Sequence, residues 1–300
     1  MTGCHTLAAR YAQDGYLLVR NAFDPDVLEA LRALIDVQVD AYARELLQRG
    51  RVRTLHEGLP FPRRLAALLD GTGIRLRKWS NFLFGPEIHA LVTSKRLLHA
   101  LRAVLGPEVL FHGDYQLTPK LPRNPVQAFP WHQDTLYYGR ASRHLHVVTV
   151  WVPLVPAHAA NGCIEVLPGS HRWGLLDGVR GIEGNVHPLE DIAARGRPVH
   201  VEMRPGDALL MGNLTFHASG MNMTDEVRWS IDLGFSAAPP DECTAAMGAR
   251  DANVEASRHF VDAALRTMGR TPLRVTSADP ARCETFAQWQ QRHLGGAAVG

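Results

Sequence analysis

Residues 206–235 read GDALLMGNLTFHASGMNMTDEVRWSIDLGF. The apolar run Ala208–Met211 and the β-branched and aromatic run Val227–Phe235 have the length and content of short strands, and glycine- and asparagine-rich links separate them. Working outward, Val109–Thr118, Gln127–Trp131, His144–Val152, Cys163–Leu167 and Val199–Met203 have the same character. Asn161-Gly162, Pro168-Gly169 and Pro205-Gly206-Asp207 mark turns between them. Many short strands with turns between them predict a β-sandwich or barrel over about 108–236. Before this core the pattern changes to a three-to-four period. Val27, Leu28, Leu31, Leu34, Ile35 and Val39 line one helix face behind Asp24-Pro25, where Asp24 is expected to cap the first turn. Helices are also expected over Arg63–Leu69, Leu97–Leu105, Ala249–Met268 and Glu284–His293, and a short strand over Gly15–Val19. The expected organisation is one domain over 1–300: a mainly β core with flanking α, and a glycine-rich lid at about 173–197.

Composition narrows the classes. The chain has 32 Lys and Arg against 30 Asp and Glu, a net charge of +2, which is too balanced to suggest a nucleic-acid surface. Cys4, Cys163, Cys243 and Cys283 are too scattered for a cysteine zinc site and fit a reduced, cytoplasmic protein. No apolar run approaches the roughly 20 residues of a membrane helix, and no signal peptide is evident at the N-terminus. A small-molecule substrate and a monomer or homodimer are expected.

The chemistry is carried by 130–139, PWHQDTLYYG. His132 and Asp134 are two apart, so on an extended segment they face the same way. One such pair is weak evidence. His217 and Arg228 strengthen it. A buried strand arginine needs an anion, which is either an internal acid such as Asp232 or Glu226 or a ligand. Two imidazoles and one carboxylate form the facial triad of non-haem Fe(II) oxygenases, and a guanidinium suits bidentate capture of a carboxylate.

The sequence resembles the phytanoyl-CoA dioxygenase family of Fe(II)/2-oxoglutarate oxygenases over roughly 10–236. The resemblance is carried by YAQDGYLLVRNAFDPDVLEAL, WHQD, VTVWVPL, NGCIEVLPGSH and the closing Gly-Asp, His, Asn, Arg series. It implies a double-stranded β-helix, a relative of the jelly roll. It also implies Fe(II), 2-oxoglutarate as cosubstrate and O₂. By the same resemblance His132, Asp134 and His217 are the iron ligands and Arg228 binds the distal carboxylate, with Ser219 or Ser230 adding a hydroxyl. Gln116 corresponds to a position near the 1-carboxylate, and Phe129 and Trp151 to walls beside the cosubstrate. Asn222 is expected to tie down the loop after His217. Halogenating relatives carry a small residue at the metal carboxylate position, so Asp134 argues for hydroxylation or another two-electron oxidation.

Substrate contacts are expected from Trp79, Tyr138 and Trp173, and tailoring of a small natural product is the preferred role. A fatty acyl-CoA or amino acid oxygenase, a zinc hydrolase and a non-enzymatic jelly-roll binding protein remain as alternatives.

Overall fold

The computed structural model describes residues 2–76, 78–79, 83–138, 143, 146–181, 185–237 and 271–297. Helix α1 (Thr2–Asp14), not anticipated from sequence, leads into β1 (Tyr16–Val19). Helix α2 (Pro25–Gln48) buries Leu28, Leu31, Ile35, Val39, Ala43 and Leu46, the stripe its spacing predicted. Asp24 does not cap it. Its carboxylate accepts instead from Arg96 Nη1 at 3.0 Å, so the first turn relies on Pro25 and the dipole of its peptides. Helices α3 (Phe61–Leu69), α4 (Pro86–Val92) and α5 (Lys95–Leu105) follow, and α5 stops where Gly106 takes φ +92°.

The remaining elements are mainly strands: β2 (Val109–Lys120), β3 (Phe129–His132), the single turn α6 (Thr135–Tyr138), β4 (Val147–Pro153), β5 (Ile164–Val166), β6 (Gly178–Arg180), β7 (Val186–Pro188), β8 (Val199–Val201), β9 (Ala208–Gly212), β10 (His217–Ser219), β11 (Arg228–Ala237) and β12 (Leu273–Thr276), before helix α7 (Phe286–Ala297). The pairings are antiparallel. The larger sheet runs β1-β9-β4-β11-β2-β12 and the smaller β3-β10-β5-β8, with β6-β7 as a separate hairpin. This is the jelly-roll architecture. The larger sheet reaches beyond the expected core, because β1 adds to β9 and β12 to β2 at its two edges. The helix expected over Ala249–Met268 lies outside the described residues.

Alternation along each strand creates two interiors. Val148, Val150 and Val152 of β4 and Trp229, Ile231, Leu233 and Phe235 of β11 face the helices, packing with Leu31, Ile35, Leu65, Leu68, Ile88 and Leu101. Trp151, Leu209 and Met211 face the smaller sheet and meet Ile164, Val166 and Val201. Both faces of β4 are covered, which explains why it reads as an unbroken apolar run. The space between the two sheets is the one available for a site.

Candidate metal and cosubstrate site

A cavity of about 410 Å³ opens between the sheets. His132, Asp134, His217, Arg228, Gln116, Ser219, Ser230, Phe129 and Trp151 all line it. His217 on β10 lies directly opposite His132 on β3, so sheet pairing itself brings together side chains 85 positions apart, a register sequence alone does not give. Their ring centroids are 4.2 Å apart. Asp134 Oδ1 lies 3.7 Å from His132 Nε2 and 3.6 Å from His217 Nε2. These three ligand atoms lie within 4.8 Å of one another, and this is the metal-ligand cluster found among the described residues.

The donor set fits a divalent metal in its details. His132 Nδ1 is 2.7 Å from the Pro130 carbonyl, and His217 Nδ1 is 3.0 Å from the Thr215 carbonyl. A carbonyl only accepts, so each Nδ1 carries the hydrogen and each Nε2 presents a lone pair to the centre. Burial, with His217 beside it, pulls His132 down to about 4, which keeps it a neutral ligand at neutral pH. Thr149 donates its hydroxyl to Asp134 Oδ2 at 2.5 Å, leaving Oδ1 for the metal. Gln133, fully buried between the two ligands, donates to the Gly174 and Leu214 carbonyls at 2.8 and 2.7 Å and accepts from Leu176 N at 3.0 Å. The metal segment is thereby tied to both flanking loops.

Arg228 is buried at 2% exposure on β11. Its Nη1 donates to Ser230 at 2.8 Å, its guanidinium lies 5.0 Å over the Trp151 ring, and its Nε has no partner. The internal salt bridge is not formed. Glu226 pairs with Arg63 at 2.9 Å, and Asp232 makes no hydrogen bond to Arg228. Burial draws Arg228 down to about 10, so it remains a cation at neutral pH. A buried, half-satisfied guanidinium costs several kcal/mol unless an anion arrives, and the cavity is where that anion has room.

Lys120 was not singled out in the sequence. It is fully buried at the end of β2, directly opposite Arg228. Its Nζ lies within hydrogen-bond reach of the Ser219 carbonyl at 3.2 Å, the Ser219 hydroxyl and the Gly220 carbonyl, and 5.8 Å over Phe129. Burial first, then Arg228, draws it down to about 6. The available signal was the two-residue spacing of Gln116, Thr118 and Lys120, which places them on one strand face. Gly162 makes room behind this corner, since a Cβ there would stand 2.3 Å from the Gly220 carbonyl oxygen.

Two substrate expectations are corrected. Trp79 is 6% exposed in the helix–sheet core, edge-on to Trp229 and donating to Gln38 Oε1 at 2.8 Å. Its aromaticity reflects packing. Trp173 packs beside Phe216 and under Arg195, whose guanidinium carbon lies 4.6 Å from the ring, and it does not line the cavity. The side chain of Tyr138 lies outside the described residues, and its neighbour Tyr137 lines the cavity instead. The segment at 173–197 reaches the site through Asn185 in the cavity wall and through Val186 N, which donates to the Tyr137 hydroxyl at 3.1 Å.

The phytanoyl-CoA dioxygenase (PhyH) family model matches residues 11–230, which include His132, Asp134, His217 and Arg228. The chain belongs to the phytanoyl-CoA dioxygenase family. As a member it is an iron- and 2-oxoglutarate-dependent dioxygenase. The chain is 23% identical over 274 residues to the peroxisomal phytanoyl-CoA dioxygenase of Mus musculus, covering 86% of this chain and 75% of that one. It is 28% identical over 236 residues to the iron/alpha-ketoglutarate-dependent dioxygenase ausO of Aspergillus calidoustus, covering 75% of this chain and 68% of that one. Among solved structures, the alpha-ketoglutarate-dependent epimerase SnoN from nogalamycin biosynthesis superposes with a TM-score of 0.52 at 22% identity, over 79% of this chain and 84% of that one. No helix among the described residues is long and apolar enough to cross a membrane.

Proposed function

We propose that this protein oxidises a C–H bond of a small molecule, with hydroxylation as the expected outcome, and that His132, Asp134 and His217 hold its iron. The observation that carries this reading is three ligand atoms within 4.8 Å of one another in a cavity that also holds a buried arginine. Iron(II) with 2-oxoglutarate and O₂ supplies an oxidant able to attack an unactivated C–H bond. The balance is substrate R–H, 2-oxoglutarate and O₂ giving R–OH, succinate and CO₂.

Each side chain has a definable task. The two imidazoles and Asp134 would hold the metal, and three protein ligands would leave it able to take the cosubstrate and O₂ as well. Thr149 and the Pro130 and Thr215 carbonyls orient those ligands. Arg228 takes the distal carboxylate of 2-oxoglutarate, with Ser230 and Ser219 supplying hydroxyls from the same corner. Lys120 adds a donor behind Ser219. Gln116 belongs near the 1-carboxylate, and Phe129 and Trp151 wall the cosubstrate and exclude water. With the single domain over 1–300, the segment at 173–197 acts as a lid over this cavity.

The substrate is read as a small natural product and the role as tailoring. The similarity in fold to SnoN, a protein of nogalamycin biosynthesis, supports this choice over a fatty acyl-CoA. The balanced charge favours a small molecule over nucleic acid. The free cysteines Cys163 and Cys283 are compatible with a cytoplasmic setting.

Anaerobic titration with Fe(II) and 2-oxoglutarate tests the reading. A charge-transfer band that requires both components is expected, followed by succinate release on admitting O₂. A protein that binds neither would be the non-enzymatic jelly roll instead.

A further inference from the structure

Asp232 is a second carboxylate in the cavity wall, and it is hydrogen-bonded neither to the candidate metal residues nor to Arg228. It stands on β11 four positions beyond Arg228 and faces the same interior, with Gln116 and Trp151 opposite it on the two neighbouring strands. Among the described residues no protein hydrogen bond holds its oxygens. The amide of Gln116 is committed to the Leu117 carbonyl at 3.0 Å, and the hydroxyl of Thr149 to Asp134. Lys78 lines the same cavity and attracts Asp232 electrostatically, but it is exposed, where solvent screens it, and it is not in ion-pair contact.

A half-buried carboxylate without a donor is costly, and it points to a donor that arrives with the ligand. The charges of the site say which kind. A ferrous ion offsets the two carboxylates of 2-oxoglutarate, and Arg228 and Lys78 attract Asp232 only across a distance, without a hydrogen bond to it. Lys120 is turned away into Ser219 and Gly220. Asp232 is left as a carboxylate with cations at a distance and no donor in contact. A neutral hydroxyl would return part of its lost solvation, and a cation returns more.

We propose that Asp232 determines specificity by accepting a hydrogen bond from a protonated amine of the substrate. The substrate class is therefore a small amine-bearing molecule whose apolar body rests against Ile164 and Met211. This inference rests on the dioxygenase reading above and names the substrate class for the same site.

Three probes of equal chain length test it: hexylammonium, 1-hexanol and hexanoate, titrated calorimetrically into the anaerobic protein supplied with Fe(II) and 2-oxoglutarate. Wild type is expected to bind hexylammonium about tenfold or more tightly than 1-hexanol, and hexanoate more weakly than either. In Asp232→Asn the amine and the alcohol are expected to converge to within about twofold, with the charge-transfer band retained. Equal affinity for amine and alcohol in wild type overturns the proposal without requiring any variant to fold. So does an Asp232→Asn protein that keeps the preference, or one that loses the band, since Asp232 would then serve the metal or cosubstrate. The band in wild type before any probe is added reads the dioxygenase assignment separately. Its absence would remove that assignment while the amine preference is still measured.

Discussion

Lys120 on β2 and Arg228 on β11 are direct cross-strand neighbours, and both are buried. Adjacent like charges in a dry interior are unfavourable, and the pair persists by two means. Lys120 gives up its proton readily, drawn down to about 6 by burial and by Arg228, and its Nζ is surrounded by oxygens of Ser219 and Gly220. Arg228 keeps its proton and leaves its Nε unpartnered. The corner is therefore set up to receive an anion.

Arg228→Ala is expected to raise the 2-oxoglutarate KM by at least about tenfold, the loss of a charge-assisted bidentate contact, with a smaller effect on kcat. Arg228→Lys should recover little, because an ammonium cannot reproduce the two-pronged geometry. Steady-state kinetics in 2-oxoglutarate check this, and an unchanged KM would remove Arg228 from the role.

Removing a ligand and removing its support should differ in degree. Asp134→Ala and His132→Ala are expected to abolish substrate-dependent succinate formation. Thr149→Val leaves the ligands in place but frees Asp134 Oδ2, and should weaken Fe(II) binding by roughly 10-fold or more. Iron titration followed by the charge-transfer band separates the two. A Thr149→Val protein that binds iron like wild type would show that the hydroxyl does not orient the carboxylate.

Lys120 predicts a pH dependence of stability. Its value falls from 10.5 unfolded to about 6 folded, so between these limits the unfolded chain binds more protons. Stability from this group is then fully present above pH 10.5 and is lost as pH falls towards 6. Lys120→Met should flatten that part of the stability–pH curve measured by urea unfolding. Identical slopes for the two proteins would mean that Lys120 stays charged inside the fold.

Asn222 is buried and holds its loop at three points. It donates to the Lys120 carbonyl at 2.9 Å and to the Glu226 carbonyl at 2.7 Å, and accepts from Thr224 N at 3.0 Å. Asn222→Ala strands these backbone groups and is expected to cost about 1–3 kcal/mol in urea unfolding. A loss below about 0.5 kcal/mol would show that water replaces the side chain.

Trp79 offers a contrast between packing and catalysis. Trp79→Ala should destabilise by about 3–5 kcal/mol as a cavity opens beside Trp229. The milder Trp79→Phe should lower the Tm and leave the 2-oxoglutarate KM unchanged. A raised KM without a change in Tm would return Trp79 to the site.

The strands at 109–120, 147–153, 208–212 and 228–237 were legible because their residues carry the pattern locally, as were the stripe of α2 and the stop at Gly106. The strand β10 at 217–219 was not, since three residues of mixed character give no period, and its partner β3 supplies the reason it is extended. Asp24 misled for a related reason: its side chain had a local use as a cap, and Arg96, 72 positions away, took it. Trp79 and Trp173 resemble substrate contacts in the sequence because an aromatic side chain has the same identity whether a core or a ligand surrounds it.

By itself the sequence determined the chemical identities: two imidazoles, a carboxylate and a guanidinium, each on or beside an extended segment whose alternation fixed which neighbours share its face. Only the tertiary structure decided the distances between them, because strand pairing across 85 positions depends on the register of two sheets and not on any local preference. It alone also revealed Lys120 as a buried neighbour of Arg228 and Asp232 as a cavity-wall group, since whether a charged side chain meets solvent, a partner or a cavity depends on what the other strands place around it.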